Sequence, residues 1–470
     1  MPSAPDAPSL RRARWALLAQ FALFGLIMTS WTSRLPSVTV ALDLTPAGLG
    51  GLLFIGGLGT LVGAFTVGAV VARFGNRITL TAGVAGNVVG FGLLALSTAT
   101  ASPGLFAAGA VVNGFCAAMI NVPINVNAAA VERRLGRTVL PQFHATFSIG
   151  AAVGALIGAA FAWLGLHLAI QLIVVTVLVT AARVWLIRPA TLLTSVLGVG
   201  AGSSPTAAAA TADSVAATTT GSLPVLGPAA MAAAGRGRAR SAFGAWLEPR
   251  TLLLGVVLLA ASLTEGSANT WLAISMVDGF AATEAVGAVA YGTFVLAMTV
   301  FRFLGTGLID RYGRVPVLRA SSAVSLVGLL AFVLAPALPI AWIGIVLWGC
   351  GAALGNPIAI AAASDDPAKA GPRLSVVTSF STVAALAAPP LLGLLADSIG
   401  PRHALLAIGG FMVVSLLLAD QVRRRPLPGV RWATDAPAAT DAPTSTDAPA
   451  DTDISITSDV PADRTRARIS

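Results

Sequence analysis

Residues Thr251–Val277 read TLLLGVVLLAASLTEGSANTWLAISMV, a 27-residue stretch with one ionisable group, Glu265. About 20 mostly apolar residues suffice to cross the hydrocarbon of a bilayer, so the stretch reads as a membrane-spanning helix. A carboxyl group in lipid costs several kcal/mol unless it meets a partner or a wet cavity. Glu265 is therefore a functional candidate, the more so because Ser262, Thr264, Ser267, Asn269 and Thr270 surround it. The competing structural reading is a protonated carboxyl tying two helices together.

The rest of the 470-residue chain has the same character: 56% hydrophobic, 10% charged, mean hydropathy +0.83. Soluble domains carry about 25% charged residues. The net charge of +9 suggests nucleic acid until its placement is considered. Most arginines fall in short segments between apolar runs, where they orient a membrane protein, so no nucleic-acid partner is expected. Cys116 and Cys350 both lie in apolar runs, which argues against a disulfide framework or thiolate metal site. Neither metal nor cofactor is expected.

Twelve stretches are long and apolar enough to span: 15–41, 47–72, 78–98, 103–131, 138–164, 167–188, 250–277, 284–309, 315–335, 338–363, 373–397 and 401–421. The first follows Arg11, Arg12 and Arg14 but lacks a cleavage site, and reads as a retained helix. Arginines recur after spans 2, 4, 6, 8 and 12 and, with Lys369, after span 10; Arg402 is the exception on the other side. By the positive-inside rule both termini are cytoplasmic, and a multi-pass protein of the cell membrane is expected. The predicted organisation is a tail (1–14), a six-helix bundle (15–189), a disordered linker (190–248), a second six-helix bundle (249–425) and a disordered tail (426–470).

The halves repeat. Trp31 matches Trp271, Ala72-Arg73-Phe74-Gly75 matches Asp310-Arg311-Tyr312-Gly313, Pro123-Ile124 matches Pro357-Ile358, and Phe147-Ser148 matches Phe380-Ser381, at offsets drifting from 240 to 233. Parallel six-span repeats suit a carrier whose halves rock about a midplane site. Over residues 15–421 the chain resembles the major facilitator superfamily. The loop signature after span 2 is carried by Gly68, Arg73, Gly75 and Arg77, with Ala72 where the acid is expected. Its second copy has Asp310, Arg311, Gly313 and Arg314, with Thr306 in place of a glycine. The resemblance implies that these eight residues form a cytoplasmic gate, with Asp310 carrying more of it than usual.

Trp31 to Pro36, Asn125, Val131 to Arg134, His144, Phe147 to Gly150, Glu265-Gly266, Trp271 and Arg302 resemble the MosC/YbjJ-like branch. Asn121 and Thr270 stand where acids are expected, which leaves Glu265 as the main intramembrane carboxylate. The resemblance implies an all-α membrane protein of twelve helices and a secondary transporter for small polar, sugar-like solutes.

Helix rise sorts the candidates by depth. Glu265, about 21 Å from the inner end of span 7, and Arg34, about 28 Å along span 1, fall in an outer tier. His144, Asn125, Arg302 and Asn356 fall about 9–14 Å from the inner end, in a second tier. Glu265 and His144 are the candidates for proton coupling. Trp31, Arg34, Asn121, Asn125, Asn269, Trp271, Arg302 and Asn356 are the candidates for lining a substrate cavity. Span 5 carries Gly150, Gly154 and Gly158, which lets a neighbouring helix approach closely.

The reading is a monomeric carrier in a lipid bilayer, moving a small-molecule substrate with protons. A drug or metabolite exporter is the alternative, disfavoured by the absence from span 5 of the Gly-Pro common in drug–proton antiporters. A non-transporting sensor is a further one. An enzyme is excluded by three scattered histidines (His144, His167, His403) and no nucleophile–base pattern.

Overall fold

A computed structural model describes residues 7–136, 139–195, 244–366 and 369–424. In lipid a backbone satisfies its hydrogen bonds within a helix or a closed barrel, and the described residues form helices joined by short turns. Span 1 is Ala7–Thr32. Spans 2 and 3 are the two arms of Pro46–Ala99, and spans 4, 5 and 6 are Pro103–Leu135, Leu140–Trp163 and Leu168–Ala190. Spans 7, 8 and 9 are Pro249–Phe280, Glu284–Tyr312 and Arg314–Val333. Span 10 is Leu338–Ala352 continued by Gly355–Ala363, span 11 is Ala370–Ile399, and span 12 runs from Pro401 to Val422. The 54-residue helix would be about 81 Å long if straight, far beyond a bilayer. It turns back at Gly75 (φ 80, ψ 164), so the chain crosses twelve times, as the sequence predicts.

Two expected spans are broken. The stretch 15–41 ends as a helix at Thr32 and restarts as Leu35–Ala41 beyond Arg34. The stretch 338–363 breaks at Ala353-Leu354, just ahead of Pro357, whose missing N–H leaves the Ala353 carbonyl without its helical donor. Inside the expected linker, Leu192–Ser195 is helical with Leu193 buried, and at the far end Ala245 is buried with Trp246 stacked on Phe380 at 6.2 Å. Apolar side chains with a surface to cover shorten the linker at both ends. Its middle and the 426–470 tail lie outside the described residues.

The repeat extends to backbone geometry at a constant offset of 238. Asp43 and Ala281 both have φ 49. Thr45 and Thr283 both cap the helix that follows, accepting from Gly48 and Val286. Gly75 and Gly313 bend at φ 80 and 83, a conformation only glycine adopts readily. Arg73 lies over the Phe74 ring and Arg311 over the Tyr312 ring.

Small residues set the helix spacing. A Cβ on Gly150, Gly154 or Gly158 would run into the Ala22 carbonyl, the Leu26 carbonyl or the Ser33 hydroxyl of the segment from span 1 to its break. Spans 1 and 5 thus touch backbone to backbone along the predicted glycine stripe. The periphery is apolar, with Val62, Leu156, Val177, Leu178, Leu296, Leu304 and Leu391 exposed as lipid-facing residues are.

Call the face holding Arg14, Arg73, Arg133 and Arg314 the basic face, and its opposite the far face. One apolar core fills the second half and continues into the far-face part of the first half through Leu35, Leu49, Phe106 and Ala155. A separate core holds the basic-face part of the first half, around Leu17, Phe21, Ile124 and Phe143. The halves therefore share an apolar core towards the far face.

Candidate functional site

Glu265 lies in the middle of span 7 and is 3% exposed. Its Oε2 accepts from Asn356 Nδ2 at 2.9 Å and lies 3.7 Å from Arg302 Nη2. Its Oε1 is buried with no hydrogen-bond partner among the described residues. Asn356 also meets the Ser262 hydroxyl through its Oδ1 at 3.4 Å, and Ser262 pairs with Ser381 of span 11 at 2.7 Å. Arg302 Nε donates to the Ala353 carbonyl at 3.1 Å, the group released by the break in span 10. Spans 7, 8, 10 and 11 thus converge on one carboxylate.

Of the two tiers expected from helix rise, Glu265 joins Arg302 and Asn356 of the inner one, whereas Arg34 stays at the far face. Rise counted from loop to loop treats helices as straight, equally deep cylinders. Span 7 runs on beyond its apolar stretch to Phe280, which leaves Glu265 at the middle of a 32-residue helix, within reach of Arg302 and Asn356.

The other candidates are dispersed. Asn269, one turn beyond Glu265, accepts from the Tyr291 hydroxyl at 3.2 Å. Asn125 donates to Asn121 Oδ1 at 2.8 Å on the same face of span 4, and Asn125 Oδ1 has no partner among the described residues. His144 is half-buried, edge-on to Phe21 at 5.5 Å, and near enough to Arg302 to feel its charge. Trp31 is half-buried against Phe106, whereas Trp271 is fully packed into the core. Arg34, 4% exposed, lines no common site with Glu265. It pairs with Glu284 of the second half at 3.0 Å, donates to Gln171 Oε1 at 3.0 Å and holds the Ser37 hydroxyl.

Arg34–Glu284 belongs to a seal at the far face. Ser37 N–H donates to Glu284 at 2.9 Å and Ala47 N–H to Asp397 at 3.2 Å, both across the halves. A Cβ on Gly50 would strike the Pro389 carbonyl, and one on Gly393 the Pro46 carbonyl. At the basic face, Arg73, Arg77, Asp310, Arg311 and Gly313 are exposed, and Gly68, Gly75 and Gly313 have open space around them. Arg314 pairs with Asp365 at 2.7 Å inside the second half. That half has a further clasp: Arg373 holds Glu248 at 2.6 Å, with Lys369 3.7 Å away. Hydrogen bonds from Arg373 hold the Glu248 carboxyl down at about 2, against the opposing effect of burial.

Sequence reading missed Glu284, Tyr291 and Arg183. Glu284 and Tyr291 lie 7 residues apart and Arg302 another 11 along, a spacing that keeps all three on one helix face and was available as a signal. Arg183 is 1% exposed beneath Phe24, its guanidinium 5.5 Å from that ring, with no hydrogen-bond partner for its side-chain nitrogens among the described residues.

The Major Facilitator Superfamily family model matches residues 254–446. The transporter y4wD of Sinorhizobium fredii (strain NBRC 101917 / NGR234) is 29% identical over 412 residues, covering 86% of this chain and 97% of the relative. Membrane protein MosC of Rhizobium meliloti is 23% identical over 87% of this chain and 90% of its own. The chain is thus similar to members of the major facilitator superfamily over most of its length. Solved members of the same fold include the nucleoside transporter NupG (TM-score 0.62, 15% identity, 88% of this chain and 98% of that one). FucP in its outward conformation gives 0.56 at 14% identity, over 89% of this chain and 100% of that one. A bacterial homologue of the lysosomal transporter Spinster, inward-facing, gives 0.65 at 14% identity, over 89% and 98%. These likenesses show the same fold over nearly the whole described chain.

Proposed function

We propose that this protein is a secondary transporter that moves a small polar, sugar-like solute by alternating access, with Glu265 carrying a coupled proton. The observation that carries the reading is the half-satisfied carboxylate: one oxygen held by Asn356 and Arg302, the other buried and unpartnered among the described residues. An ionised Glu265 attracts Arg302 in a medium of low polarity, and a proton on it abolishes that attraction. The ties among spans 7, 8 and 10 then depend on one titrating group. Sugar-like cargo is supported by the amides and hydroxyls around the site, and by the likeness in fold to a nucleoside transporter and a fucose:proton symporter.

The basic face is the cytoplasmic one by the positive-inside rule, in the inner membrane with both termini inside. On that assignment the sealed far face and exposed signature turns describe a state reached from the cytoplasm. A thermal-shift screen of monosaccharides, polyols and nucleosides on purified protein supplies the substrate. In proteoliposomes, Glu265→Gln is expected to lose accumulation driven by a pH gradient while still exchanging labelled for unlabelled substrate. Undiminished gradient-driven accumulation by the variant rejects Glu265 as the carrier.

A further inference from the structure

Spans 7, 9, 10 and 12 of the second half line a small cavity of about 20 Å3 that the Glu265 cluster does not use. Thr264 of span 7 precedes Glu265 and so points about 100° around that helix from it. Span 9 contributes Ser321, Ser322 and Ser325, which share a face by their three- and four-residue spacing. Span 12 contributes Met412 and Ser415. Gly351 and Gly355 come from span 10, one on each side of its break at Ala353-Leu354. A Cβ on Gly351 would run into the backbone of Ser325, and one on Gly355 would meet Ala261 at 2.8 Å. Span 10 therefore lies hard against its neighbours at both points, and the cavity is the space between these contacts.

The protein does not satisfy all of these hydroxyls. Ser325 is buried, and its Oγ has no hydrogen-bond partner among the described residues. Ser322 and Ser415 pair at 3.2 Å, which uses one of their two hydroxyl hydrogens. Thr264 Oγ1 donates to the Ala260 carbonyl at 2.8 Å and keeps its capacity to accept. A buried hydroxyl left unpaired costs more than a typical hydrogen bond contributes. One water needs about 10–15 Å3 and two to four polar partners, and this cavity supplies both. A sodium ion would need charge nearby to offset the loss of its hydration. The five side-chain oxygens around the cavity are neutral hydroxyls, and Glu265 is engaged elsewhere by Arg302 and Asn356.

We infer that the cavity binds one resident water, which partners Ser325 and joins spans 7, 9 and 12 behind the break in span 10. The water accepts from Ser325 and from whichever of Ser322 and Ser415 is not donating to the other. It gives its own hydrogens to Thr264 Oγ1 and Ser321 Oγ. Because a water exchanges partners readily, span 10 can bend at Ala353-Leu354 without leaving Ser325 unpaired. A direct side-chain bond across the same gap would hold one geometry only. The site stands whether or not Glu265 carries a proton.

The test is radiolytic footprinting, in which a brief X-ray pulse turns bound water into hydroxyl radicals that oxidise the nearest side chain. Met412, 3% exposed, lines the cavity; Met276 and Met298, 0% and 1% exposed and outside it, are the controls. Full-length protein in lipid nanodiscs is pulsed in choline chloride, and methionine sulfoxide is counted at each site by mass spectrometry. Met412 is expected to oxidise several times faster than either control. Ser325→Val and Ser415→Val each fill space and remove a hydroxyl, and each is expected to bring Met412 down to the controls' rate. A parent Met412 rate no higher than the controls' means a dry cavity and overturns the inference. So does a fast rate that persists in either valine variant while Met276 and Met298 stay protected. Those two controls show whether a variant has folded, and one folded variant suffices. Repeating the pulse in sodium chloride separates water from a cation. No change at Met412 supports the water; suppressed oxidation with a raised melting temperature makes the ligand the ion and overturns the assignment.

Discussion

Arg302 owes its position to a proline on another helix. Pro357 has no N–H to offer the Ala353 carbonyl four residues back, so that carbonyl is open to Arg302 Nε, which leaves Nη2 directed at Glu265. Lysine carries the charge without the fork. Arg302→Lys is expected to reduce gradient-driven uptake by about tenfold, the loss of one of two directional contacts, while the melting temperature in detergent stays within a few degrees. Glu248 offers a pH test outside the membrane. Its depressed folded-state value means that its stabilising effect is complete above the ordinary carboxylate range and disappears as pH falls through about 2. The melting-temperature gap between the parent and Glu248→Gln should be constant from pH 7 to pH 5 and close as pH approaches 2. At this scale Glu265 and its polar neighbours were legible from the sequence, because a carboxylate in a greasy run stands out. Tyr291 and Glu284 are easily passed over, because a tyrosine and a helix-end acid are ordinary in any span and only the face they share with Arg302 marks them.

Helices here are spaced by glycine, and the glycines separate into those that touch and those that do not. Gly150 lies against the Ala22 carbonyl, whereas Gly68 faces open space. Gly150→Ala is expected to lower stability by about 1–3 kcal/mol through overpacking. Gly68→Ala is expected to leave the melting temperature unchanged or raise it, since alanine favours a helix by about 0.5–1 kcal/mol. If closure of the basic face brings another helix onto Gly68, that same variant slows transport without loss of stability, which a flux assay reads directly. The glycine stripe on span 5 was readable because i, i+4 spacing alone defines a face. The breaks in spans 1 and 10 were harder to see: hydropathy is continuous through Ala353, and an arginine near a helix end such as Arg34 is readily taken as one that snorkels to the membrane surface.

Across the whole molecule, Arg34–Glu284 is the bond whose removal reports most directly on the two halves. Glu284→Gln leaves the guanidinium of Arg34, 4% exposed, without its counter-charge, a substantial destabilisation of any state that keeps it buried. The expected result is an increase of about tenfold or more in labelling of far-face cysteines by a membrane-impermeant maleimide, with the exchanged pair Arg34→Glu/Glu284→Arg restoring part of the protection. Unchanged labelling in Glu284→Gln would remove this pair from the seal. The number of crossings, the duplication of the halves and the placement of Glu265 within the membrane follow from the linear sequence. Apolar length, turn glycines and capping threonines act locally, and in lipid each helix satisfies its own backbone. The meeting of Arg302 with Glu265, the removal of Arg34 to a seal and the burial of Trp271 were decided by tertiary structure. Helix tilt, broken spans and the length of an arginine side chain move polar atoms by more than one helical turn, a distance that residue counting treats as fixed.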